Sequence, residues 1–471
     1  MSTNKPLIVK LWLMTFLYIL LIGLFVQLFL LPVLFTNWHG GDGLLIGGDW
    51  LDYQKVALEL TSKIEIEGWS AWVLAPHGQA PAGIAAAIYT LTGINKPWII
   101  LPLNAALHAS SAIVLMLIVT NVTGTARLSV WPVLPFIFFP TALLWNTQIH
   151  KDGFFILGSY IFLYGFILLT QINEHRYLYR IGSGFCLFLA GIGLIWIVRP
   201  YGVEMVVYIS LALALFSTIF LLTGLDKNRK ILFNIVVIWL AIFIAMPLTQ
   251  TGAHHEYVEV DHAELGTVES VKPLTERTVE EKIDLEKQQY YQKEMLSVEE
   301  EKLIWVHSTI LPVFVDEAIY TMAVMRDRYR NHKPEARSNI DLDVSFTSAA
   351  DAIKYIPRAL QVGILAPFPN HWYAEGSSSL TTLIRRINAL EMFLIYCALI
   401  FMFYGWWIWR RNPQFYLAFG FSLGMILTYA LVVVNIGTLT RMRYGFIMIL
   451  VAFGIAGLLE LINSKYKKGN S

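Results

Sequence analysis

The chain reads as an all-α polytopic membrane protein of about ten transmembrane helices, carrying one mainly helical extracytoplasmic insert. Three observations predict this. Hydrophobic residues make up 56% of the 471 positions, more than a soluble protein of this size carries. Apolar runs long enough to cross a bilayer fill both ends of the chain. Of the 34 acidic residues, 22 fall between Thr251 and Arg386, so the polar content is gathered in one stretch. The net charge of +1 averages two unlike parts. Residues 251–386 hold 15 Lys+Arg against those 22 acids, and the remainder holds 20 against 12. No part of this distribution resembles a nucleic-acid-binding surface.

Ten runs have spanning length: roughly 8–35, 97–120, 129–145, 153–171, 181–198, 202–223, 231–249, 388–409, 413–435 and 442–463. The first has a short basic flank (Lys5, Lys10) but no small-residue cleavage pattern, so it is expected to remain as a span. If the ten alternate, six basic segments fall on one side: Lys5 and Lys10; Arg127; Arg176 and Arg180; Lys227, Arg229 and Lys230; Arg410 and Arg411; Lys465, Lys467 and Lys468. The positive-inside bias makes that side the cytoplasm and puts both termini there. The organisation is then a first span (1–36), a first outer loop (37–96), spans two to seven (97–249), the outer insert (250–387), and three last spans with a basic tail (388–471). Short outer connections lie at 146–152, 199–201 and 436–441. Cys186 and Cys397 both fall in predicted spans, so the insert has no disulfide framework.

The first outer loop carries periodic structure. In DWLDYQKVALELTSKIEI (49–66), Trp50, Tyr53, Ala57, Leu60 and Ile64 fall on one helical face, with Asp49, Asp52, Lys55, Glu59 and Lys63 opposite. Such a helix suits the membrane interface. A second is expected from Pro81 to Leu91, before Gly93. In the insert, helices are expected in the middle of 251–302, over 316–331 and over 347–364. Phe368, Trp372 and Tyr373 then mark the return to the membrane.

Several charged side chains stand at outer ends, where anchoring cations are least expected. Asp49 and Asp52 are three apart and share a helix side, just outside the first span. A carboxylate there can take a proton from an attacking hydroxyl or bind a divalent metal. A solvated face or a helix N-cap after Gly47-Gly48 explains them equally. Lys151 and Asp152 follow His150; Arg199 precedes Pro200 and Tyr201; Arg441 and Arg443 stand in GTLTRMRY. Snorkelling anchors are the plain alternative. Cations at three outer ends suit a phosphate at headgroup depth. Asp152 beside Lys151 could simply neutralise it. His77, Asp152, Tyr201 and Glu391 are expected to line the same region. His254, His255 and His262 match no closed zinc spacing. Mid-span His108, one turn from Asn104, fits a helix–helix hydrogen bond or a functional group.

Three stretches, GGDWLDYQKVA, PHGQAPAGIAAAIYTLTG and FPTALLWNTQIHKDG, together with the layout over residues 1–250, resemble the GT-C class of integral-membrane glycosyltransferases. That class includes protein O-mannosyltransferases and bacterial aminoarabinose and arabinose transferases. The resemblance implies a polyprenyl-phosphate sugar as donor at the outer face. It implies a glycan, lipid or protein acceptor, and an acidic base or metal ligand in the first outer loop, here Asp49 or Asp52. No cofactor beyond a divalent metal is implied. The chain has no adjacent Asp-Glu pair, and its insert lies mid-chain. A polymerase or ligase of lipid-diphosphate oligosaccharides would use the same arginines without a loop carboxylate. A lipid or glycan transporter would show charged or broken helices at mid-membrane, whereas these spans look nearly free of central charge. A bacterial inner membrane is the expected location.

Overall fold

The computed structural model describes residues 5–124, 129–171, 176–223, 229–249, 305–332, 334–376 and 378–469. Arg127, Lys227, the expected helix within 251–302 and the His254, His255 and His262 group lie outside them, as do the side chains of Arg229, Lys465, Lys467 and Lys468. Among the described residues the architecture is all-α, with one two-stranded antiparallel hairpin, β1 (His39–Gly41) and β2 (Leu44–Leu45). Nine helices among the described residues are long and apolar enough to cross a membrane. The protein is an integral membrane protein.

In order, α1 spans Lys5–Phe25 and continues as a wider π-helical stretch to Leu34, over Pro32. Then come α2 (Trp50–Glu67), α3 (Ala80–Thr92), α4 (Leu101–Thr123), α5 (Leu134–Phe138), α6 (Pro140–Asn146), α7 (Asp152–Leu169), α8 (Tyr177–Val198), α9 (Pro200–Thr223) and α10 (Arg229–Ala245). The insert contributes α11 (Val313–His332) and α12 (Ala349–Leu365). The last three are α13 (Ser379–Trp409), α14 (Pro413–Val432) and α15 (Ile436–Gly469).

The third predicted span, 129–145, is broken. Phe139 is extended between α5 and α6, because Pro140 has no N–H and disfavours a helical residue before it. The orphaned groups find partners across the bundle. The Phe136 carbonyl accepts the Tyr444 hydroxyl at 3.1 Å, and the Thr141 N–H donates to Glu391 Oε1 at 2.7 Å. The broken segment still runs the height of α4: Ser129 meets Thr123 at one end, and Asn104 donates to the Asn146 and Gln148 carbonyls at the other.

Cross-links sort the helix ends into two groups. One end joins Asn121 to Gln171, Asn234 to the Leu169 carbonyl and Asn412 to the Val122 carbonyl. The other joins Gln27 to the Thr147 carbonyl and Leu45 to Gln148. Close glycine contacts hold the bundle, as expected where lipid gives helices no hydrophobic reason to associate. On α7 and α8, Gly165 faces Gly184 and Phe188, and Gly191 faces Phe162 and Gly158, so closely that a Cβ on either would lie within 2.5 Å of partner backbone. Gly454 of α15 meets the Ala398 carbonyl of α13 in the same way.

The amphipathic helix expected over 49–66 is α2, and its apolar face of Trp50, Tyr53, Ala57, Leu60 and Ile64 is buried against α3 and the hairpin rather than left open to a membrane. Gly93, at φ 67°, ends α3 in the left-handed conformation that a side chain resists. The expected second and third insert helices are α11 and α12. Arg326 ties them to the bundle: fully buried, it donates to the Asp341, Val344 and Leu431 carbonyls at 3.0 Å each, between the Phe346 and Tyr355 rings. Helix α13 starts earlier than its apolar run, capped by Ser378, which accepts the Thr381 N–H.

Candidate functional site

Four charged side chains from distant parts of the chain meet where α7, α9 and α15 begin and α2 enters its first turn. Pro200 ends α8, leaving Arg199 non-helical at the junction, with its side chain turned inward and buried. Its guanidinium donates to Asp152 Oδ1 and lies 4.8 Å from the Phe155 ring centre. Asp152, also buried, accepts Arg441 Nε at 2.5 Å on its other oxygen. Arg441 reaches on to Asp49 Oδ2 at 3.2 Å. The order Arg199–Asp152–Arg441–Asp49 therefore runs from the buried side to the rim, where Asp49 is 57% exposed.

Lys151 adds a third cation. Burial first, then Arg199, lowers its ammonium from the ordinary lysine range to about 8. Three cations against two carboxylates leave the cluster with one excess positive charge. Tyr201 lies within electrostatic reach of Arg199. Tyr53 lies within reach of Asp49, Arg441, Asp152 and Arg199, and its phenol is raised by burial and then by Asp49. The periodicity of α2 put Tyr53 on the packing face, which it does occupy; that its hydroxyl end reaches the charges is not written in the pattern.

Beneath the cluster two buried imidazoles share a cavity with Asp152, Asn146, Trp145, Phe136 and Tyr444. His150 Nδ1 accepts the Asp152 and Gly153 N–H groups at 3.0 and 3.4 Å, and burial lowers its pKa to about 4. It is neutral at pH 7, with its proton on Nε2. His108 Nδ1 meets Asn146 Nδ2 at 2.9 Å, and its ring stacks on Phe136. His150 Nε2 has no protein partner and offers a hydrogen-bond donor to the cavity.

The other expected site residues lie elsewhere. Asp52 is exposed on the outer side of α2, although only one turn from Asp49. His77 is exposed in a turn at φ 50°. Glu391 is buried at the start of α6, where both its oxygens are taken by Thr141; a carboxylate there complements the helix N-terminus. Arg443, expected as a phosphate ligand beside Arg441, points to the opposite side of α15. It is fully buried and donates to the Val362, Gly363 and Ala366 carbonyls that end α12. Two residues apart on a helix, Arg441 and Arg443 cannot face the same way. Glu391 and Arg443 line a second small cavity with Asn388 and Thr440. Among the described residues no three His, Cys, Asp or Glu side chains form a set that could hold a metal ion, and Arg441 fills the space between Asp49 and Asp152.

The sequence left Asp152 either neutralising Lys151 or lining the site, and the structure pairs it with Arg199 and Arg441. The available signal was its place at the start of a predicted span, at the level where the alternation of spans also puts Arg199 and Arg441, since a buried carboxylate requires cations. Chemically, the cluster can bind an anionic oxygen beside a rim carboxylate that solvent reaches. Comparison of the chain with protein-family models, with curated proteins and with solved structures returns no match.

Proposed function

We propose that this protein is a membrane glycosyltransferase that moves a sugar from a polyprenyl-phosphate donor to a hydroxyl acceptor on a glycan, lipid or protein. The observation that carries the reading is the net-positive cluster of Arg199, Asp152, Arg441 and Lys151. It lies at one end of an apolar bundle, with the Asp49 carboxylate at its rim. The resemblance of the first 250 residues to the GT-C class points the same way. The site faces outward in this reading, both termini are cytoplasmic, and the membrane is a bacterial inner membrane.

The acceptor hydroxyl attacks the anomeric carbon of the donor. Asp49 takes its proton. The bond from that carbon to the phosphate oxygen breaks, its electron pair stays on the lipid phosphate, and the growing charge meets Arg441, Lys151 and Arg199. An incoming phosphate competes with Asp49 for Arg441 Nη1, which frees the carboxylate as the donor binds. Asp52 is left without a direct role, because it faces solvent.

A second reading has a specific observation behind it. Asp49 is held by Arg441, and a carboxylate that only orients an arginine fits a polymerase or ligase of lipid-diphosphate oligosaccharides, which needs no base. The break at Phe139–Pro140 is a feature a transporter would also show. The size profile of surface glycans separates these readings. In cells lacking the protein, a uniform loss of one sugar increment, rescued by wild type but not by Asp49→Asn, supports the transferase. A ladder collapsed to single repeats, rescued by both, retires the mechanism.

A further inference from the structure

The chain enters α11 through an apolar tip whose turn is fixed by local hydrogen bonds. Ser308 Oγ accepts the N–H groups of Ile310 and Leu311 at 3.2 and 3.1 Å, Pro312 has none, and Val315 and Asp316 bond back to the Pro312 carbonyl. Buried Asp316 fixes the turn from beneath, accepting Trp305 Nε1 at 3.1 Å, His307 Nδ1 at 2.8 Å and the Ser308 N–H at 3.2 Å. Yet the tip itself packs on little: Ile310 is 90% exposed, Val313 73% and Phe314 57%. Large apolar side chains gathered at one exposed tip suit hydrocarbon and are costly in water.

The slope of α11 gives the depth. Near its C-terminal end, Arg326 bonds the Leu431 carbonyl in the last turn of α14, and Tyr329 lies within electrostatic reach of Arg199. Nine residues before Arg326, Glu317 lies within reach of Tyr208, two turns inside α9. The next residue, Ile209, packs on Gly424 of α14, which is seven residues, or about 10 Å, further into the bundle than Leu431. The start of α11 thus descends the flank of the bundle, beside the exposed apolar belt of α9 that includes Tyr208, Leu215 and Phe216. Trp305 and Tyr320 pair at 5.5 Å next to the tip, the aromatic types that favour the headgroup boundary.

We propose that residues 310–314 insert into the lipid leaflet on the Arg199–Arg441 side, making α11 a lipid-anchored strut that runs from the bilayer to the charged cluster. The inference is independent of the transferase reading. Nitroxide labels at Ile310→Cys and Phe314→Cys test it, in the full chain carrying Cys186→Ser and Cys397→Ser, reconstituted in phosphatidylethanolamine–phosphatidylglycerol vesicles. Leu215→Cys serves as the lipid control and Glu335→Cys as the aqueous one. The expected result is relaxation dominated by oxygen at 310 and 314, with an oxygen-to-nickel-chelate ratio matching position 215. A ratio matching position 335 overturns the proposal. Inaccessibility to both reagents also overturns it, because the tip would then be covered by protein such as the 250–304 segment.

Discussion

Asp152 is the side chain on which the cluster depends, because it alone faces both Arg199 and Arg441. Its removal leaves two buried or half-buried guanidinia competing for one exposed carboxylate. Asp152→Ala is therefore expected to destabilise the protein by about 3–5 kcal/mol, the scale of breaking a buried ion pair, read as a lowered midpoint of thermal unfolding in detergent. Arg441→Ala should instead fold and lose turnover by about 3 kcal/mol in the barrier, as when an oxyanion donor is lost; wild-type rates in this variant would remove Arg441 from the mechanism. Lys151 sets a pH limit. Its lowered value, about 8, means that its charge is present below pH 8 and is lost from the folded protein as pH rises through 8. Between there and the ordinary lysine value the folded state gains stability, since only the unfolded chain still carries the charge. Donor binding should then weaken on the alkaline side of pH 8. In Lys151→Arg, whose guanidinium does not deprotonate, that limb should move beyond the measurable range.

Among the elements, α7 and α8 are held by paired glycines rather than by charge. Gly191→Leu forces side-chain atoms into the backbone of Phe162, whereas Gly193, two residues on, has open space around it. The expected outcome is loss of folded protein for Gly191→Leu and normal yield for Gly193→Leu, measured by size-exclusion profile. The broken α5–α6 segment shows the complementary principle. A proline inside a membrane segment is tolerated only where neighbours take up the freed groups, and here Tyr444 and Glu391 do so. In the insert, Asp341 pairs with Arg358 at 2.9 Å and accepts the Tyr355 hydroxyl. Burial alone would raise its carboxyl, but these two partners hold it below the usual carboxylate range. The pairing stabilises the insert above that range and is lost as pH falls through the lowered value. Hydrogen exchange over 339–365 should therefore quicken below about pH 4, before exchange in α7 and α8 does.

At the scale of the molecule, two groups of helix ends follow from the alternation of crossings, and the charged cluster lies at one of them. The arrangement places Glu59 of α2 and Arg411, at the α13–α14 turn, at opposite ends. In a chain free of its native cysteines, Glu59→Cys should react with an impermeant maleimide on intact cells and Arg411→Cys only after permeabilisation. The reverse pattern would put the site in the cytoplasm and rule out an outward-facing transferase. The described part of the insert packs on the bundle: its Arg326 bonds the Leu431 carbonyl, and Arg443 of the bundle bonds the Ala366 carbonyl in return.

The sequence by itself determined what is local and periodic. Hydropathy adds along the chain, so the apolar crossings, the amphipathic α2 and the two described helices of the insert, α11 and α12, were legible. So were the cations at span ends, since a charge there needs no partner to be noticed. Tertiary structure alone decided which of them meet. Asp152 and Arg441 are 289 residues apart, and Asp49 and Arg441 are 392 apart. Their pairing depends on how helices pack across the bundle, which no periodicity records. The same holds for Arg443, turned away to bind α12, and for Asp52, a single turn from Asp49 yet facing solvent. A helix pattern gives the side on which a residue lies, and only packing decides what stands opposite it.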